Sequence, residues 1–197
     1  MIIPAIVDGP LGSEHRLPQI GERGEWSLFW NAQFATHWAG LRPDWSLTAT
    51  THADDNQPPT HMAGEKHARI RTTAEANGVH IACVVYDVLP ETITLTGVVR
   101  VTNMSESVWP SRRPETPTSA TVVRMQLVSI VLDNRPSSNI DNPDPNRQWH
   151  SLQPIAGTEW FYELARPPGT LHIYRPPDGE SGQLRTELLL LDLDTEI

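Results

Sequence analysis

The segment Thr92–Thr102 constrains the fold more than any other part of this chain, because apolar and polar residues alternate along it. The apolar positions on one side are Ile93, Leu95, Val99 and Val101. Threonines dominate the other side. Alternation at period two is typical of a β-strand that turns one face to a hydrophobic core and the other to water. We therefore expect a protein built on a β-sheet.

Similar apolar segments recur between turn signals, and we predict a strand for each. They are Ile2–Val7, Gly24–Asn31, Trp45–Ala49, Arg69–Ala74, Val79–Val88, Thr121–Leu132, Leu171–Arg175 and Leu184–Leu193. Glu159–Ala165 could be a strand or a short helix, and the alternation of Trp160, Tyr162 and Leu164 favours a strand. Asn77-Gly78 favours a tight type I′ turn, because both residues tolerate positive φ angles. Within Thr121–Leu132 the apolar face switches, which predicts a β-bulge near Val128–Ser129.

One short helix is predicted where apolar residues recur at helical spacing. The positions i, i+3, i+4 and i+7 of this stripe are Phe34, His37, Trp38 and Leu41. Such a stripe is typical of a helix with one face on a core. Gly40 and Pro43 end it after about two turns.

Proline-rich polar segments separate the predicted strands. The chain has 18 prolines, about twice the usual share of roughly 5%. We predict long loops at Thr51–Lys66, Trp109–Ser119 and Asn134–Arg147. Short strands, such connections and little helix favour a mainly β fold. We expect a single all-β domain over residues 1–197, an antiparallel β-barrel or β-sandwich with long Pro-rich loops and one short helix.

Composition excludes several classes of protein. The 197 residues carry a net charge of −9, with 15 basic and 24 acidic side chains. This balance does not suit the phosphate backbone of double-stranded nucleic acid. No window approaches the roughly 18 apolar residues of a membrane span, and a single cysteine excludes an internal disulfide framework. We expect a cytoplasmic protein that binds neither membranes nor double-stranded nucleic acid.

The common catalytic motifs are missing: the sequence has no G-x-S-x-G, no P-loop and no G-x-G-x-x-G. Cys83 lies in the most apolar predicted strand, where burial would raise the pKa of its thiol and leave little reactive thiolate. Asp192 and Asp194 share one face of the last strand, and we expect both to face solvent rather than to act as paired acids. These observations favour a non-enzymatic role without a cofactor or a bound metal.

Histidines support an alternative hypothesis, a metal-assisted hydrolase. Neutral imidazoles and carboxylates are zinc ligands. The residues concerned are His37, His52, Asp54, Asp55, His61 and His67. Their spacing matches no short ligand pattern, so we favour the interpretation that they are solvated loop residues.

Tryptophan is the most suggestive residue type. Four of the seven tryptophans lie close together in the sequence: Trp26, Trp30, Trp38 and Trp45. We expect these four to build the core around the short helix. Trp109 and Trp149 lie in or beside predicted loops and are candidates for exposed anchors.

Three stretches resemble a family of small bacterial β proteins that has no assigned activity. They are the segments 21–28 (G-E-R-G-E-W-S-L), 97–102 (G-V-V-R-V-T) and 188–194 (L-L-L-L-D-L-D). The resemblance as a whole covers about a third of the chain. The resemblance implies a compact β-barrel-like fold. It transfers no functional residue to this sequence.

The leading hypothesis is a non-enzymatic binding protein whose loops, on a β scaffold, recognise a protein partner or a small ligand. Proline lowers the entropic cost of ordering such loops, and Arg and Trp are enriched among interface anchors. The predicted contact residues are Trp109, Arg112, Arg113, Arg147 and Trp149. A further alternative is an OB-like module that binds single-stranded nucleic acid, although its basic groove does not fit the acidic composition.

Overall fold

The structure, a computed structural model, describes residues 1–7, 18–53, 68–86, 88–101, 116–136, 150–174 and 183–196. Within these residues the protein is mainly β. The strands are β1 (Ile2–Val7), β2 (Arg23–Trp26), β3 (Leu28–Trp30), β4 (Ser46–Ala53), β5 (Arg69–Ala76), β6 (Val79–Tyr86), β7 (Thr92–Thr96), β8 (Val99–Val101), β9 (Thr118–Pro136), β10 (His150–Pro154), β11 (Trp160–Glu163), β12 (Ile173–Tyr174) and β13 (Gln183–Asp194). Helix α1 spans Ala32–His37 and a 3₁₀ turn spans Ala39–Leu41. No helix in these ranges is long and apolar enough to cross a membrane.

The described strands pair into one sheet in the order β10-β9-β13-β1-β8-β3-β6-β5-β4-β7. β2 and β11 pair with the same edge of β9 as β10, and β12 pairs with β13 beside β1. Pairing among these strands does not close the sheet into a barrel. The prediction of an antiparallel sheet is wrong for two neighbours, because β1 runs parallel to β8 and β3 runs parallel to β6. In both pairs the chain passes through other strands before it returns, so no hairpin turn sets their direction.

The sheet carries hydrophobic cores on both faces, and β13 contributes to both. Successive residues of a strand point to opposite faces. Leu189, Leu191 and Leu193 accordingly enter one core, and Leu188 and Leu190 enter the other. The large core also contains residues of β1 to β9 and of α1, and the small core is covered by Trp38 and Leu41. Both faces of the β9–β13 strand pair are therefore buried along much of its length.

The alternating segment Thr92–Thr102 faces the core as predicted, but it forms two strands. Leu95, Val99 and Val101 are buried in the large core and Ile93 packs against it. Gly97 adopts φ +79° and separates β7, which pairs with β4, from β8, which pairs with β1 and β3. The chain changes neighbours at this residue because a left-handed backbone conformation cannot continue a strand.

The β-bulge is present in β9, but the predicted position near Val128–Ser129 is wrong. Val128 and Ser129 pair in regular register with Leu188 and Glu187. The register shifts instead where Asp192 and Leu193 face Arg124 and Val122, so that Val123 is the extra residue, and it is exposed. The apolar face switches near Val128 for another reason: the first part of β9 contacts the large core, and Val128, Ile130 and Leu132 contact the small core on the opposite face.

The predicted loops are shorter than expected at three ends. β4 continues to Ala53, β9 begins at Thr118, and β9 continues to Pro136. Thr118 is fully buried, and its hydroxyl accepts a hydrogen bond from His80 N and donates one to His80 O, both at 2.8 Å. A polar residue thus occupies a core position in the sheet, which the polar composition of the segment concealed. The remainder of these loops lies outside the described residues.

The turn at Asn77-Gly78 is confirmed: the two residues have φ +50° and +70° and join β5 to β6. The short helix is also confirmed over Ala32–His37 with the 3₁₀ turn after it.

We expect Gly97→Ala to lower the free energy of unfolding by about 1–2 kcal/mol, because an L-residue at a left-handed φ carries that cost. The new Cβ would also lie 3.4 Å from the main-chain oxygen of Ala35. Urea denaturation followed by tryptophan fluorescence measures the change. Gly169→Ala is the matched control, because its φ is not positive and its Cβ would meet no atom within 4 Å. Equal stability of the two variants would contradict the strain at Gly97.

Candidate functional site

The five contact residues predicted from the sequence lie outside the described part of the chain. They are Trp109, Arg112, Arg113, Arg147 and Trp149. The same holds for Asp54, Asp55, His61 and His67 of the metal hypothesis. Connectivity alone relates one of the five to the sheet: Trp149 immediately precedes His150, the first residue of β10.

The other two histidines of the metal hypothesis lie in different settings. The ring of His37, at the end of α1, contacts the ring of Trp38 edge-on, with 5.2 Å between centroids. His52, on β4, places Nε2 3.5 Å from Oε2 of Glu75, which also lies 4.0 Å from Nδ1 of His80. Among the described residues, no group of three or more His, Cys, Asp or Glu side chains is arranged to hold a metal ion. The pair that the structure does bring together, His52 and His80, includes a residue that the metal hypothesis did not name.

Cys83 is buried in β6, as predicted, and burial raises the pKa of its thiol to about 12. Its sulfur lies 3.4 Å from the main-chain oxygen of Ile81. A thiol with this pKa is almost fully protonated near neutral pH, so it does not serve as a nucleophile.

Three of the four clustered tryptophans are core residues, as predicted. Trp26 and Trp30 are buried in the large core and Trp38 is buried in the small core. The indole nitrogens of the first two donate to main-chain oxygens: Trp26 Nε1 to Ala120 O and Trp30 Nε1 to Thr96 O. Trp45 is half-buried against the large core and donates to Ile2 O.

The most distinctive surface feature is a group of large apolar side chains on the edge strands β11 and β12. Each of them exposes between 44% and 67% of its area. We call this group the aromatic surface, and its members are Trp160, Phe161, Tyr162, Ile173 and Tyr174. Scattered exposed apolar residues are normal, so the significance of this group depends on which of its members share a face.

Strand register shows which members of the aromatic surface share a face. Residues paired across a sheet point to the same side. Trp160 pairs with Ser129, which pairs with Glu187, and Tyr174 pairs with Arg185. Trp160, Tyr162 and Tyr174 therefore lie on the face that carries the large core, while Phe161 and Ile173 lie on the other.

Polar side chains lie between the aromatic rings on this face. β11 and β12 are separated by β9 and β13, so their backbones lie about 14 Å apart. In that interval Arg185 Nη1 donates to Ser129 Oγ at 3.1 Å, and Glu187 Oε2 accepts from His172 N at 2.9 Å. The ring of His172 lies 5.6 Å from that of Tyr174. The surface thus combines aromatic rings at its sides with hydrogen-bonded polar groups in the middle.

A network of charged groups on the opposite face holds β11 in place. Glu163 accepts from Arg124 Nε at 3.0 and 3.2 Å, and also from Arg124 Nη2 and from Gln126 Nε2. These bonds to the guanidinium lower the pKa of Glu163 and raise the pKa of Arg124. Asp192 joins the network, since its carboxylate lies 3.8 Å from Arg124 and accepts from Arg42 at 2.6 Å.

The expectation that Asp192 faces solvent is wrong. It lies on β13 between β1 and β9, and its side chain is only 10% exposed. Two arginines from distant parts of the sequence compensate its charge. Asp194, also expected to face solvent, is half-buried, and it accepts a hydrogen bond from the amino group of Met1 at 3.0 Å.

Sequence reasoning predicted the strand at Trp160 and Tyr162 but missed their exposure. The alternation of Trp160, Tyr162 and Leu164 indicates a strand, and only Leu164 packs against the core. Phe161 lies between Trp160 and Tyr162, so aromatic rings occupy both faces of this short strand. A strand buried on both faces shows the same pattern, so the pattern does not indicate exposure.

Comparison of this chain with protein-family models, with curated proteins and with solved structures gave no match.

We expect Arg42→Met to lower the free energy of unfolding by about 1–3 kcal/mol, because it removes the short bond to a buried carboxylate. Arg23→Met is the control, since Arg23 forms an exposed ion pair of 3.6 Å with Glu196, and such pairs contribute about 0–1 kcal/mol. Urea denaturation of both variants tests the ranking. A smaller effect at Arg42 than at Arg23 would contradict it.

The Arg124–Glu163 pair predicts an acid-dependent contribution to stability. A carboxyl whose pKa is lower in the folded state than its usual 4.5 stabilises the fold above that pH and stops doing so as the pH falls through the folded pKa. Thermal unfolding of Glu163→Gln should therefore show a lower midpoint than the parent at pH 7, and the difference should shrink as the pH is lowered below 4.5. Glu25→Gln, at an exposed position of β2, is the control. A difference that does not shrink on acidification would show that Glu163 acts by something other than its charge.

Proposed function

We propose that this protein is a non-enzymatic binding protein and that the aromatic surface is its contact surface. The observation that carries the proposal is the exposure of Trp160, Tyr162 and Tyr174 on one face of ordered strands. Trp and Tyr are the residues most enriched among interface hot spots, since they bring large contact area with few rotatable bonds. Exposed Trp and Tyr rings suit a protein partner, because aromatic residues are enriched in protein interfaces relative to the rest of the surface.

The state of the described reactive groups supports a binding role over a catalytic one. The Cys83 thiol is held protonated by burial. The carboxylates of Glu163 and Asp192 are bound to Arg124 and Arg42, and the bonds to Arg124 lower the pKa of Glu163. Groups fixed in this way stabilise the fold, whereas a general acid needs a raised pKa.

The loop residues predicted from the sequence remain part of the proposal as additional contacts. They are Trp109, Arg112, Arg113, Arg147 and Trp149. The segment 137–149 joins β9 to β10, and β10 pairs with the same edge of β9 as β11. His150, at the start of β10, pairs with Pro136, and Trp160 of β11 pairs with Ser129, so a partner must span about 23 Å along β9 to contact both.

Affinity capture tests the proposal. The parent protein, the double variant Trp160→Ala/Tyr174→Ala and the control Val88→Ala are immobilised, and proteins retained from a lysate are quantified. Val88 is 75% exposed and lies outside the aromatic surface. We expect the parent and the control to retain the same partner, and the double variant to bind it at least 100-fold more weakly, since hot-spot truncations cost about 2 kcal/mol each. Equal retention by all three proteins would contradict the role of the aromatic surface.

The loops are tested separately with Trp109→Ala/Trp149→Ala. We expect weaker retention of the same partner, with the thermal midpoint unchanged. Binding equal to that of the parent would exclude the two tryptophans as anchors and leave the aromatic surface as the contact.

A further inference from the structure

The outer edge of β11 offers unpaired main-chain groups. In an antiparallel ladder, hydrogen-bonded residue pairs alternate with pairs that make no bond. Leu164 N donates to Met125 O at 2.9 Å, and β11 continues that register, so Tyr162 and Trp160 also direct their main-chain groups to β9. Phe161 and Glu163 therefore direct theirs away from β9, where no described strand pairs with them.

Within the part of the chain that the structure describes, this edge lacks the features that keep edge strands apart. Native edge strands are usually protected by lysine, proline, a bulge or a covering segment. β11 reads Trp-Phe-Tyr-Glu, and all four residues are exposed. Its one charge, on Glu163, is compensated by Arg124. An aromatic edge with free hydrogen-bonding groups and a compensated charge is built to pair with another strand.

We propose that the β11 edge pairs with the β11 edge of a second copy of this chain, antiparallel, about a two-fold axis at Phe161. The proposal rests on the proposed function, because it takes the aromatic surface to be a contact surface. It goes further by naming a second copy of the chain as the partner at the β11 edge. At this register each Phe161 N–H donates to the Phe161 carbonyl of the second copy. Trp160 then lies opposite Tyr162 of the second copy, and Tyr162 lies opposite Trp160 of the second copy.

Self-complementarity favours a second copy over an unrelated extended peptide. The register at Phe161 places aromatic rings opposite aromatic rings on both faces of the extended sheet, and such cross-strand pairs are among the favourable ones. It also uses the outward main-chain groups of Phe161 in both copies. In a two-fold interface the same patch of each copy contacts its equivalent in the other. β11 meets this requirement, because Phe161 pairs with Phe161 and Trp160 with Tyr162 in one continuous register.

The net charge does not prevent this contact. Each chain carries −9, so two copies repel at long range. At the edge itself, Glu163 lies opposite Glu159 of the second copy in this register, and its bond to Arg124 reduces the repulsion between the two carboxylates. Association should therefore strengthen as added salt screens the long-range term.

Cysteine cross-linking tests the register. Phe161→Cys places two sulfurs at directly opposed positions, with about 5.5 Å between Cα atoms, which lies within the range of disulfides. Cys83 is buried and its thiol pKa is raised to about 12, so it does not interfere. After oxidation with diamide, most of Phe161→Cys should run as a covalent dimer on a non-reducing gel.

The neighbouring positions provide matched controls. Tyr162→Cys alone should not cross-link, because the two introduced thiols would be offset by two positions and their Cα atoms would lie about 8 Å apart. Trp160→Cys alone should not cross-link for the same reason. An equimolar mixture of these two variants should form the mixed disulfide. Cross-linking of all three single variants, or of Val88→Cys at the exposed control position, would overturn the register.

Sedimentation velocity tests the association without cysteines. We expect the parent to sediment as a dimer, Phe161→Lys as a folded monomer, and Val88→Lys as a dimer. Circular dichroism checks that Phe161→Lys retains its sheet, and the cross-linking result stands independently if it does not. A monomeric parent without Phe161→Cys dimers would overturn the pairing. If another protein shielded the thiol introduced by Phe161→Cys from reaction, the edge would be assigned to that partner instead.

The two proposals fail separately. Tyr174 lies on β12, so Tyr174→Ala leaves the β11 edge intact. Loss of partner capture in Tyr174→Ala with an unchanged dimer supports the contact surface alone. A monomeric parent that still captures its partner through Trp160 and Tyr174 removes the self-pairing and leaves the proposed function in place.

Discussion

Burial of both faces of one strand is the constraint on which the rest of the structure depends. Leu188–Leu193 place apolar side chains alternately in two cores on opposite sides of the sheet. A fully buried leucine contributes about 1.5–3 kcal/mol relative to an exposed one, so the fold must cover both sides of β13. The strands β1 to β8 cover one side, and the segment around Trp38 and Leu41 contributes to the cover of the other.

The aromatic surface lies where the cover of the large core ends. On that face Leu189 is fully buried, whereas Glu187 and Arg185, the next residues along the same side of β13, are partly exposed. β11 pairs with the outer side of β9 and β12 with the outer side of β13 at this point. Their rings are exposed because both strands lie beyond the large core. Sheet architecture, rather than local sequence, thus places them on the outside.

The sequence predicts strands and turns correctly where a residue pattern has a single structural explanation. The alternation in Thr92–Thr102 identifies its inward residues, and Asn77-Gly78 identifies its turn. The same reasoning misplaces the bulge, because a change of apolar face has two causes that look alike in a sequence. One is an extra residue in the strand, and the other is passage from a core on one side of a sheet to a core on the other. Only strand pairing separates them, and pairing is non-local.

Non-locality also explains why the candidate surface was missed. Burial of Trp26 and exposure of Trp160 follow from what lies across the sheet, and neither is encoded in the neighbouring residues. The polar network has the same origin. Arg42, Arg124, Glu163 and Asp192 are far apart in the sequence and meet only after β9, β11 and β13 have paired. Asp192 looks like a solvent-facing terminal acid until two arginines are placed beside it.

This network accounts for how an exposed strand stays in place. β11 has four residues, all exposed, so burial contributes little to its position. Hydrogen bonds hold β11 instead. Arg124 and Gln126 bind Glu163, its last residue, and Thr158, two residues before it begins, bonds to the main chain of Val131 and Ile155. Arg124 also contacts Asp192, which Arg42 links to the cover of the small core. Fixing a strand through its charged side chains leaves its aromatic rings and outer main-chain groups free to bind. A surface fixed before binding loses less conformational entropy when a partner arrives. The charges that stabilise this edge would therefore also prepare it for the proposed contact.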